Sequence, residues 1–82
     1  MMKVRLLLFA VLRDITGKSE ADLSLHDGAS AADVWQSLRE EYPALSGYSH
    51  PPLVAVNETY AKPETLLREG DELAFIPPVA GG

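Results

Sequence analysis

Hydrophobic and polar residues alternate from Lys3 onward. Val4, Leu6 and Leu8 fall on one side of a period-two pattern, and Arg5, Leu7 and Phe9 on the other. This spacing predicts a first strand over Lys3 to Leu12, with the Arg5 side toward water. Leu7 and Phe9 would then share an exposed face with a charge. Leu12 to Thr16 reads as a short helical turn closed by Gly17. Glu20 to Leu25 alternates again, placing Ala21, Leu23 and Leu25 on one face of a second strand. His26-Asp27-Gly28 is a turn. Ser30 opens a helix, with Asp33 placed for a capping box. Ala31, Val34, Trp35, Leu38 and Tyr42 then follow helical spacing up to Pro43. Ala44 to Pro52 reads as a loop, Leu53 to Val56 as a strand and Asn57-Glu58 as a turn. Thr59 to Ala61 reads as a brief return strand. Pro63 to Leu67 reads as a helical turn, Glu69-Gly70-Asp71 as a tight turn and Glu72 to Pro77 as the last strand.

The order is therefore strand, strand, helix, strand, short strand, strand. A single amphipathic helix must bury its stripe against the apolar face of a sheet, so the class is α+β. With 82 residues the chain holds one domain and a modest core. No apolar run approaches the ~18 residues of a membrane span. The start lacks the regions of a signal peptide, so a cytoplasmic setting is expected. Twelve acidic residues against seven basic ones give a net charge of −5, which disfavours nucleic acid and favours a basic partner surface. There is no cysteine, so no side chain here carries a thiolate, persulfide or disulfide. The two histidines, His26 and His50, are far apart, and no metal site is expected.

Several motifs give way to plainer readings. Ser49-His50 lacks the second glycine and the strand-to-helix setting of a nucleophile elbow. Asn57-Glu58-Thr59 matches a glycosylation acceptor but suits a turn with positive φ better. Asp71 and Glu72 are adjacent on a strand and point to opposite faces, which separates them as an acid/base pair. Trp35 and Tyr42 belong to the core and its edge.

The end of the chain, Pro77-Pro78-Val79-Ala80-Gly81-Gly82, differs from a frayed tail. It follows the apolar run Leu73-Ala74-Phe75-Ile76, which anchors its base. Pro77 and Pro78 favour an extended backbone, which lowers the ~1–2 kcal/mol per residue that ordering costs. Gly81 and Gly82 have no Cβ and suit a narrow channel. Five extended residues reach roughly 15–18 Å. The expected organisation is a domain over 1–77 and a flexible tail over 78–82. The tail's one reactive group is a terminal carboxylate, ionised at neutral pH. A carboxylate is a poor electrophile and needs activation, for which this chain has no nucleotide-binding loop. A separate ATP-using enzyme is implied.

These residues resemble a known family. Gly70-Asp71-Glu72-Leu73-Ala74-Phe75-Ile76-Pro77-Pro78-Val79-Ala80-Gly81-Gly82 resembles the end of molybdopterin synthase small subunits, the sulfur carriers of molybdenum cofactor synthesis. Lys3 to Gly17 resembles that family's first strand and turn, and Val54-Ala55-Val56-Asn57 its middle strand. Ile76 departs from the aromatic that relatives often carry there. The resemblance implies a ubiquitin-like β-grasp fold, a mixed sheet of four to five strands with one main helix on one face. It implies that Gly82 is adenylated with ATP and magnesium by an activating enzyme, then converted to a thiocarboxylate by a sulfur donor protein. The carrier alone binds no cofactor and is not catalytic. Its sulfur would pass to cyclic pyranopterin monophosphate in the large catalytic subunit, within a heterotetramer, with Gly81 as the slim neighbour. First and last strands lie side by side in this fold. Leu7, Phe9, Ala74 and Ile76 are therefore expected to form one apolar patch that docks the partners. A carrier for thiamine synthesis or transfer-RNA thiolation, a protein modifier using the same glycine, and a plain scaffold are the alternatives.

Overall fold

The computed structural model describes residues 1–47 and 52–77. Five strands form one sheet: β1 (Met2–Leu8), β2 (Glu20–Leu25), β3 (Leu53–Val56), β4 (Thr59–Ala61) and β5 (Glu72–Ile76). Two α-helices, α1 (Val11–Thr16) and α2 (Ala31–Glu41), and a 3-10 helix (Pro43–Gly47) complete the elements. The strand order is β2-β1-β5-β3-β4. β1 and β5 run parallel, and the other neighbours are antiparallel. This is the mixed sheet of a β-grasp fold, with α2 supplying the crossover between the halves.

Alternation decides which face is covered. Met2, Val4, Leu6 and Leu8 of β1 are buried, as are Leu73 and Phe75 of β5 and Val54 of β3. They meet Val34 and Leu38 of α2, Leu12 of α1, Leu45 and Leu67 in one core. Phe75 is fully buried, and Trp35 packs edge-on against it with ring centroids 5.1 Å apart. The capping box of α2 forms. The Ser30 N–H donates to Asp33 Oδ2 at 2.9 Å, and the Asp33 N–H donates to Ser30 Oγ at 3.2 Å. These contacts, the Ser30 backbone N–H foremost, hold the Asp33 carboxyl below the usual aspartate range.

Four local expectations change. The first strand stops at Leu8 rather than Leu12, because Ala10 takes φ 52, ψ −126 and reverses the chain. The Leu12 N–H then donates to the Phe9 carbonyl at 3.1 Å, and Leu12 turns into the core at 1% exposure. The segment after Pro43 is not all loop, since Leu45 sinks fully into the core from the 3-10 helix. Residues 63–67 do not form a helical turn. Leu66 pairs with Ser30 as an isolated bridge. The Pro63 and Thr65 carbonyls accept from the Ala32 and Ala31 N–H groups at 2.7 and 3.1 Å. Those amides start α2 and have no partner within it, and they are satisfied by a turn at Pro63 and Glu64 and the bridge that follows it. The last strand ends at Ile76, one residue before Pro77, which has no N–H to donate.

Candidate functional site

β5 lies between β1 and β3, so both of its edges are paired. It runs straight to Pro77, which is half-buried. The start of this strand is clamped by Asn57. Its Nδ2 donates to Asp71 Oδ1 at 2.9 Å, and its Oδ1 accepts from the Glu72 N–H at 2.9 Å. Its own N–H donates to the Glu72 carbonyl at 2.8 Å. Asp71 Oδ2 also accepts from the Arg68 N–H at 2.8 Å. Asp71 therefore has both oxygens engaged in holding a turn, which leaves no acid/base pair with Glu72. Asn57 and Glu58 adopt φ 51 and 67, the doubly positive turn that suits a two-residue hairpin. Asparagine serves twice there, tolerating the backbone and bridging to β5.

The face of the sheet opposite α2 carries the expected patch. Leu7 is level with Ala74, Ala74 with Ala55, and Ala55 with Tyr60, in one row across four strands. A second row beside it joins Ile76 to Leu53. Leu7, Phe9, Ala74 and Ile76 line one shallow depression of about 270 Å³ with Ala55, Tyr60, Glu58 and Glu72. The four residues expected to adjoin therefore do adjoin. Ala74 itself is only 8% exposed, whereas Phe9 is 44%, Leu53 51% and Tyr60 73% exposed. The exposed area belongs chiefly to Phe9, Leu53 and Tyr60. Sequence reasoning missed the last two. The same period-two count on β3 and across the hairpin would have placed them.

Charge divides the face. The apolar rows sit at the end where β5 delivers Pro77. The other end carries Arg5, which reaches Glu20 at 3.8 Å and Asp22 at 3.9 Å. Glu58 and Glu72 give the patch an acidic border. An apolar patch with a polar rim is the usual form of a protein interface. Among the described residues no group of histidines and carboxylates gathers to hold a metal, and no helix is long and apolar enough to cross a membrane. Pro78, Val79, Ala80, Gly81 and Gly82 lie outside the described residues, as do Ser49 and His50.

Fold and site define a ubiquitin-like β-grasp domain whose last strand reaches Pro77 beside an open apolar face. The ThiS family model matches residues 6–82. The molybdopterin synthase sulfur carrier subunit of Chlamydomonas reinhardtii is 35% identical over 83 residues, covering 99% of this chain and 100% of that one. The Mycobacterium tuberculosis protein of the same name is 34% identical, with both chains covered completely. Among solved structures, small archaeal modifier protein 1 of Methanosarcina acetivorans superposes with a TM-score of 0.78. It is 33% identical, and 100% of this chain and 98% of that one are covered. The chain belongs to the ThiS family and, within it, to the molybdopterin synthase sulfur carrier subunits.

Proposed function

We propose that this chain carries sulfur to molybdopterin synthase on the carboxyl group of Gly82, in the cytoplasm. The observation that carries the reading is the placement of β5. A strand held on both edges delivers the tail's base at the border of an exposed apolar face. The activating enzyme supplies ATP and magnesium. The Gly82 carboxylate attacks the α-phosphorus of ATP, pyrophosphate leaves, and an acyl-adenylate forms. Sulfide-level sulfur released by a sulfur donor protein then attacks the acyl carbon and AMP leaves, giving a thiocarboxylate. The large catalytic subunit takes up the tail and directs that sulfur into cyclic pyranopterin monophosphate. This chain's own contribution is steric and positional. Gly81 and Gly82 present no side chains, Pro77 and Pro78 stiffen the approach, and the patch docks the body. The lack of cysteine suits a carrier whose sulfur rides on the backbone end.

The test is reconstitution with the large subunit and the activating enzyme. Deleting Gly82 should abolish product while calorimetric binding to the large subunit persists. Phe9→Glu and Ile76→Glu should weaken that binding with the fold intact. Unchanged affinity for both charged variants would remove the docking role. The second reading, a protein modifier, is favoured by the likeness to the archaeal modifier. It predicts lysine conjugates ending in Gly82, visible by peptide mass spectrometry.

A further inference from the structure

The geometry points to a second docking site, in which the free edge of β2 and its groove against α2 bind an extended, basic peptide strand of a partner. β2 ends the sheet and pairs with β1 alone. Its six residues run in unbroken register without proline or bulge. Among the described residues, no backbone bond outside the β1 ladder involves positions 20–25. Every second residue of such a strand turns its N–H and C=O outward. The opposite edge, β4, has only three residues and offers much less.

Beside this edge lies a groove of about 270 Å³ on the helix face of the sheet. Leu23 and Leu25 floor it from the strand, Val34 and Leu38 wall it from α2, and Ser37 and Glu41 rim it. Leu23 and Leu25 are only half-buried, although they pack on the core. An added strand would set alternate side chains against them, and its backbone would pair with β2.

Charge selects the occupant. Glu20 and Asp22 stand on the strand, and Asp33 and Glu41 border the groove. Arg5 answers the first two from the far face, and His26 is the one basic side chain lining the groove. Two copies of this edge would bring acid against acid, which opposes self-pairing. A strand alternating valine or isoleucine with lysine meets both the apolar floor and the acidic border. The site is on the opposite face from the Phe9 patch, so the two faces can be occupied together. The inference therefore stands independently of the sulfur-carrier reading.

The test uses the whole chain and an acetylated, amidated peptide of about eight residues alternating Val and Lys, enough to span β2 at ~3.3 Å per residue. Amide shifts in NMR titration should saturate and concentrate on Glu20–Leu25 and the facing side of α2. N-methylating one alternate set of peptide amides should abolish binding, and methylating the other set should leave it. Glu41→Lys should weaken binding several-fold, and Phe9→Glu should leave it unchanged. Three results would overturn the inference. One is a pair of methylated peptides that bind alike. Another is shifts scattered over all the acidic surface, which means charge attraction alone. The third is self-association of the free chain through β2, which assigns the edge to a second copy.

Discussion

Asn57 offers the sharpest test of how β5 is held. Replacing it by alanine removes the Nδ2 donor to Asp71 and the Oδ1 acceptor for the Glu72 N–H. Net values of about 0.5–1.5 kcal/mol apply to each, with the bond to a carboxylate toward the upper end. Alanine must also hold φ 51, at about 1 kcal/mol. The expected loss is about 2–3 kcal/mol. Asn57→Gly loses the same two bonds but accepts the backbone, so its loss should be about 1–2 kcal/mol. Urea denaturation followed by far-ultraviolet circular dichroism should rank wild type above glycine and glycine above alanine. Asn57→Asp adds a direction. It keeps the acceptor for Glu72 but sets a carboxylate against Asp71, and like charges raise the folded-state pKa of the pair. A raised value means that stability is fully present below the ordinary carboxylate range and is lost as pH rises from there through the raised folded value. Its deficit should therefore shrink on acidification. Alanine and glycine variants of equal stability, both within about 0.5 kcal/mol of wild type, would refute the clamp.

Ala10→Gly should stabilise the protein by about 1 kcal/mol. The strained backbone costs ~1–3 kcal/mol, and the extra freedom of unfolded glycine offsets part of the relief. D-alanine at position 10, made by synthesis, should stabilise more, and no gain in either variant's thermal midpoint would show an unstrained turn. Ser30→Ala should cost about 1 kcal/mol through the lost cap, measured by denaturant midpoint. Asp33 titrates below its unfolded range, so its contribution is present at neutral pH and is lost as pH falls through the lowered folded value. Asp33→Asn should flatten that acid-side loss, and an unchanged pH profile would count against the capping box.

What the sequence revealed follows from how local each signal is. Val4, Leu6 and Leu8 announced β1 by alternation, and Ser30 with Asp33 announced the start of α2, because each pattern involves neighbours a few residues apart. The patch of Leu7, Phe9, Ala74 and Ile76 was legible because one parallel pairing joins two alternating strands. The strand end at Leu8 was not, because Ala10 adopts a backbone more natural to glycine. Nor was the turn and bridge across residues 63–67, whose carbonyls answer amides of α2 far earlier in the chain. Leu45 sat in a stretch rich in proline and glycine, and only the tertiary core draws it in. Asn57 was readable as a turn residue, but its bridge to Asp71 and Glu72 depends on the pairing of β3 with β5.

Intact-mass spectrometry of the purified chain, after incubation with its activating enzyme, magnesium-ATP and a sulfur donor, tests the central claim most directly. The account predicts the mass gain of one sulfur replacing one oxygen, localised to Gly82 by fragmentation and absent without ATP. An unmodified Gly82 under conditions in which the same enzymes charge a related carrier would contradict it.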